Sequence, residues 1–100
     1  MQEINEGFIK TAELPVKNLT AEQKAKLNLR GNELYNQNDI AAAERIFITT
    51  GYSDGLARIG DYYAKQNQKL KALKFYHLAH NTYKEDILLD QLAEIIRMLI

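Results

Sequence analysis

The side chains in this sequence best suited to chemistry are few. His77 and His80 stand three apart, a spacing that lets two imidazoles on one helix share a metal ion. A metal centre needs further ligands, however, and the nearest carboxylate that follows in sequence is Glu85. There is no HExxH pattern and no companion His/Cys set, so the pair reads as solvated histidines and no metal site is expected. Asp61 precedes Tyr62 and Tyr63, a carboxylate beside phenols that resembles catalytic machinery. A polar surface residue next to a core aromatic accounts for it better. Gly51 and Gly55 are not followed by the Lys-Ser/Thr of a phosphate loop. With no cysteine in the chain, thiolate metal sites, disulfides and cysteine nucleophiles are excluded. These residues point away from an enzyme and away from any cofactor.

Charge removes two further classes of ligand. Thirteen basic and thirteen acidic residues cancel, so the chain lacks the positive field that draws nucleic acids or anionic membranes. Lys24, Lys26, Arg30, Lys65, Lys69, Lys71 and Lys74 are dispersed among acids as solvated faces. The amino terminus, Met1-Gln2-Glu3-Ile4-Asn5-Glu6, carries acids where an export signal needs Lys or Arg. The stretch from Ile87 to Ile100 is too short and too interrupted by Asp90, Gln91, Glu94 and Arg97 to cross a bilayer. The expectation is a cytoplasmic protein with no nucleic-acid ligand and no membrane insertion.

The elements that position these residues are helical. Pro15 biases Leu14 toward extended backbone, so residues 1 to 18 read as an arm, extended or flexible, offering Phe8, Ile9, Leu14 and Val16 as docking points. Thr20 and Gln23 have capping-box spacing and open a first helix through Leu27, Gly31, Leu34 and Tyr35 to a polar turn at Asn36-Gln37-Asn38-Asp39. Ile40 to Thr50 forms a second helix, ended by Gly51, with Ser53 or Asp54 capping the next. A third helix over about 53–66 carries Leu56, Ile59, Gly60 and Tyr63, and a turn at Asn67-Gln68 leads to a fourth over about 69–81. Thr82 and Glu85 repeat the capping-box spacing and open a final helix. No segment alternates as a strand does, so the fold class is all-α.

The chain also repeats itself. Leu27, Gly31, Gln37, Asn38, Ala43 and Phe47 recur as Leu56, Gly60, Gln66, Asn67, Ala72 and Tyr76, with one and the same shift throughout. Glycine and alanine let paired helices approach closely, while the aromatics and leucines fill the space between pairs. The run Leu56-x-x-Ile59-Gly60-x-x-Tyr63 followed by Ala72-x-x-x-Tyr76-x-x-Ala79 resembles a tetratricopeptide repeat over about residues 53 to 86. Lys84 stands where that family has proline. In the first copy Arg30 replaces an apolar residue, Leu34 replaces Tyr, and the period is shorter than the family's. The shortening falls between Phe47 and Tyr52 and implies a clipped second helix.

The resemblance implies two antiparallel helix pairs and a carboxyl-terminal capping helix in a short right-handed α-solenoid: a degenerate repeat over 19–52, a well-matched one over 53–84 and a cap over 85–100. In that family the first helix of each pair lines a groove for a peptide or a partner's helix. By resemblance the groove here presents Asn28, Asn32, Tyr35 and Asn36 from the first copy and Ala57, Arg58, Asp61, Ala64 and Lys65 from the second. Asn side chains can bond an extended backbone, and Arg58 or Lys65 can hold a carboxylate. The family's carboxylate-clamping variant has Lys at the position of Asn28, whereas Asn32 fits its pattern.

A second surface lies at the carboxyl end. Leu88, Leu92, Ile95, Ile96 and Leu99 make a core-facing stripe, which Leu89, Ala93 and Ile100 widen, with Ile87 and Met98 outside it. Such an apolar excess implies contact with a protein partner or a second copy in a homodimer. The function expected is therefore a non-enzymatic protein interaction module, an adaptor or assembly factor. Two alternatives compete with it, a secretion-type chaperone for an exported protein and a structural homo-oligomer.

Overall fold

A computed structural model describes residues 18–100. Residues 1 to 17, and with them the docking points of the expected arm, lie outside the described residues. Among the described residues there are five helices and no strand: α1 (Ala21–Asn36), α2 (Ile40–Thr50), α3 (Ser53–Lys65), α4 (Lys69–Leu78) and α5 (Thr82–Leu99). The chain is all-α, and none of these helices is long and apolar enough to cross a membrane.

The helix ends show why the elements fall where they do. At the start of α1, Thr20 Oγ1 accepts from the Gln23 amide and Gln23 Oε1 accepts from the Thr20 amide, the reciprocal capping box. Asp39 caps α2 by accepting from the Ala42 amide. The two later starts differ from expectation. α3 begins after Tyr52 with no side-chain cap, because Ser53 and Asp54 are already inside the helix. α5 is capped by Asn81, whose Oδ1 accepts from the Lys84 amide, and Thr82 is its first residue. Glu85 thus takes no capping role and reaches His77 instead.

Among the described residues four adopt left-handed backbone: Asn38, Gly51, Asn67 and His80, with φ of 67, 72, 60 and 58°. Each lies just beyond a helix or its cap, where a left-handed residue turns the chain and satisfies trailing carbonyls. The Asp39, Gln68 and Asn81 amides, for instance, donate back to Leu34, Tyr63 and Tyr76 carbonyls. The four form two pairs, Asn38 with Asn67 and Gly51 with His80, at the shift that relates Gly31 to Gly60. Helix starts obey the same shift, Ile40 with Lys69 and Ser53 with Thr82. This corrects three expectations. The clipped second helix is common to both copies, α4 ends at Leu78 instead of reaching Asn81, and α5 starts at Thr82, ahead of the expected cap at 85.

α1 packs along α2 and α3 along α4 as two hairpins, with α2 against α3, α4 against α5, and a lighter contact between α1 and α3. The core between the hairpins holds Ile40, Ala43, Phe47, Leu56, Ile59, Phe75 and Ala79, and a smaller cluster of Ala72, Tyr76 and Leu88 seats α5. Gly31 and Gly60 act at the same place in each hairpin. A Cβ on Gly31 would come within 2.6 Å of the Phe47 ring, and one on Gly60 within 2.6 Å of the Tyr76 ring. The nearest neighbour of each glycine is thus the aromatic of the following helix, with Ala43 and Ala72 buried a turn away. Phe47 is held on a second side by Gly55, whose Cβ would approach the ring at 2.5 Å.

Candidate functional site

α1 and α3 bring several of the expected groove residues together. Arg58, from the first half of α3, donates from one terminal nitrogen to Asn32 Oδ1 at 2.9 Å and from the other to Asn36 Oδ1 at 3.2 Å. Its guanidinium carbon lies 4.1 Å from the centre of the Tyr35 ring, and the Tyr35 hydroxyl donates to the Arg58 carbonyl at 3.3 Å. Asn32 and Asn36 are one turn apart on α1, which is why one planar fork can engage both. The cation is held over the ring with two of its five N–H groups engaged, leaving donors for a carboxylate or a backbone carbonyl.

Lys65 lies two turns along α3 from Arg58, is exposed, and has no partner among the described residues. Asp61 sits between them and is committed elsewhere. It accepts from the Tyr76 hydroxyl at 2.5 Å and from Lys84 Nζ at 2.9 and 3.1 Å, tying α3 to α4 and α5. With Asp61 balanced by Lys84, this face of α3 carries outward the positive charges of Arg58 and Lys65 and, one turn before Arg58, the exposed carboxylate of Asp54. Burial, reinforced by the Asp61 hydrogen bond, raises the Tyr76 phenol well above its ordinary value. Tyr63 is pushed up to about 12, first by burial and then by donating to Glu44 Oε1 at 2.7 Å. Both phenols are protonated hydrogen-bond donors at neutral pH, and neither is poised to act as a base.

Asn28 is placed differently from the expectation. Its Oδ1 accepts from the Thr50 hydroxyl at 2.6 Å, which satisfies a buried polar group at the end of α2. It braces the first hairpin and does not join the Arg58 cluster. His77 and His80 also separate, since His77 Nδ1 lies 2.8 Å from Glu85 Oε2 while His80 occupies the left-handed turn. No group of three or more His, Cys, Asp or Glu that could hold a metal occurs among the described residues.

Four residues that no motif marks extend this face. Lys69, Lys84, Ile87 and Gln91, with Ala64, Tyr76 and Leu88, line an open pocket of about 370 Å³ between α5 and the second hairpin. In the sequence Lys84 stands out only as a replacement for proline, and what it does depends on Asp61 in another helix. Repetition holds the cue: Lys84 occupies the position of Gly55 in the next copy, at the shift that carries Gly31 to Gly60. Each lies against the aromatic of the preceding helix, Gly55 on Phe47 and Lys84 with Nζ 5.7 Å from the centre of the Tyr76 ring.

At the carboxyl end, the stripe expected to face the core does so only in part. Leu88 is buried and Leu92 half-buried, whereas Ile95, Ile96 and Leu99 are exposed. Lengths explain the correction: eighteen residues of α5 extend about 27 Å, while the ten of α4 beneath extend about 15 Å. Leu89 is 46%, Ile96 56%, Leu99 81% and Ile100 98% exposed, so the apolar end projects past its support.

No family model matches this chain, and no solved structure matches it. A protein of Treponema pallidum (strain Nichols), described as uncharacterized, is 44% identical over 93 residues, which span 93% of this chain and 89% of the treponemal one. Identity at that level along nearly the full length of both chains places this protein and its treponemal relative in one family.

Proposed function

We propose that this protein is a non-enzymatic interaction module of tetratricopeptide-like helical hairpins, which holds a partner's segment along the face formed by α1 and α3. The observation that carries this reading is the Arg58 cluster. A cation spread over Tyr35 and steered by Asn32 and Asn36 presents unused donors on a solvent-facing surface. Lys65 adds a second positive charge along the same helix face, and Asn36 beside Arg58 is exposed. The partner chemistry that matches is an extended or helical segment bearing a carboxylate, recognised by charge-assisted hydrogen bonds. The repeated Gly31–Phe47 and Gly60–Tyr76 packing supports the tetratricopeptide-like part, since it builds both hairpins by one rule. The apolar end of α5 is a second contact surface.

Capture from the native cell tests the reading. The full chain as bait is compared with an Asn32→Ala plus Arg58→Ala variant and with Leu92→Asp. A specific partner lost from the first variant is the expected result. Partners retained by both variants would mean that neither surface binds them.

A further inference from the structure

We infer that the open face of α5 is an interface with a second copy of this chain, formed by antiparallel pairing of two α5 helices about a twofold axis next to Glu94. This rests on the reading of α5 as a contact surface and names its occupant.

The repeat indicates what kind of element fits this face. Leu89 stands as far beyond Gly60 as Gly60 stands beyond Gly31. In α1 and α3 the face carrying that glycine is covered by the following helix, whose aromatic ring lies on it. In α5 the same face is open at Leu89, and no helix covers it among the described residues. The natural occupant of the position is therefore a helix.

The sequence of that face suits it to a copy of itself. Leu89, Ala93, Ile96 and Ile100 are all exposed and follow one another at spacings of four, three and four, one continuous seam along a helix. That spacing reads the same in both directions. Run antiparallel, it sets Leu89 against the partner's Ile100 and Ala93 against the partner's Ile96, and the small Ala93 near the axis permits close approach. Leu99 and the half-buried Leu92 border the seam on the side nearer the body, and Asp90 and Arg97 border it on the other. Antiparallel pairing then places each Arg97 within reach of the partner's Asp90. Parallel pairing would instead set Asp90 and Arg97 against the partner's opposite flank, the one bordered by Leu92 and Leu99, and leave both charges unpaired. Among the described residues Arg97 reaches Glu94 of its own helix, an exposed pair that holds it weakly.

The area is sufficient. Leu89, Ile96, Leu99 and Ile100, at 46, 56, 81 and 98% exposure, present on the order of 550 Å² of apolar-residue surface per copy, so that two copies clear the roughly 1,000 Å² in total that a specific interface needs.

The test uses the full chain. Light scattering over a wide concentration range is expected to give a dimer, and Ile96→Glu to give a monomer of unchanged helical content. Arg97→Asp should weaken the dimer at least tenfold, and the double swap Asp90→Arg plus Arg97→Asp should restore it. Because the chain has no cysteine, single spin labels at Glu94→Cys and Asp86→Cys report the geometry. In an antiparallel pair the separation of equivalent labels grows by about 3 Å per residue from the axis, placing labels at 86 roughly 20–25 Å further apart along the axes than labels at 94. A monomer at every concentration, equal label separations at the two sites, or a dimer indifferent to Ile96→Glu would overturn the proposal. If partner capture stays sensitive to Arg58 while the chain is monomeric, the module reading stands and the dimer alone fails.

Discussion

Gly31 and Gly60 carry the geometry of the molecule at the smallest scale. Each accepts a ring face at a distance no Cβ could share, and the atoms in the way belong to rigid aromatics. Alanine is the better helix former by about 1 kcal/mol, so on a free helix either substitution would stabilise. Overpacking a closed contact costs about 1–3 kcal/mol, and the rings have nowhere to go because Phe47 is also pinned by Gly55 and Tyr76 is bound to Asp61. Gly31→Ala and Gly60→Ala are therefore each expected to lower unfolding free energy by up to about 2 kcal/mol in urea titrations. A gain in stability at either site would mean that the contact is loose. Tyr63 gives a second residue-scale prediction. Its phenol ionises near 10 when unfolded and at about 12 when folded, so between these values the unfolded chain loses a proton that the folded chain keeps. The stability contributed by Tyr63 is complete below pH 10 and is lost as pH rises toward 12. The fall in urea midpoint over that window should be shallower in Tyr63→Phe than in the parent, and equal slopes would contradict the assignment.

Helices are where the sequence is most informative and where its silences have clear causes. Capping residues and apolar spacing predict α1 and α2 almost to the residue, because Thr20, Gln23 and Gly51 act through neighbours three or four positions away. α3 and α5 start where capping residues also occur, yet the caps are Tyr52 and Asn81. Several polar residues in a row offer equivalent caps, and hairpin packing chooses among them. The left-handed turn at His80 is hidden for another reason, since histidine lacks glycine's signature even though it stands at the repeat position of Gly51. Of the proposed binding face, the resemblance marks Asn32, Tyr35, Asn36, Arg58 and Lys65, of which the fold brings Asn32, Tyr35, Asn36 and Arg58 together; Asn28, marked with them, is turned to Thr50. Its partner Thr50 lies in the next helix, and a β-branched residue at a helix end gives no hint that its hydroxyl is buried and seeks an acceptor. The same holds for Lys84 and Asp61, a contact between α5 and α3 that only the stacking of the hairpins creates.

Two hairpins and a long fifth helix give the whole molecule two unlike surfaces. One is polar and charged, spread across α1 and α3, with Arg58 and Asp61 preset by Asn32, Asn36, Tyr35 and Lys84. The other is apolar and runs off the end of the body along α5. On the proposed reading, their separation lets one face serve a partner while the other serves a second copy. We propose that a body offering these two faces holds other chains. Hydrogen–deuterium exchange on the full chain, with and without its captured partner, tests that claim most directly. Added protection is expected in peptides covering residues 28–36 of α1 and 54–65 of α3, with the outer surface of α2 unchanged. Protection confined to α2 and α4, with α1 and α3 exchanging as in the free protein, would contradict it.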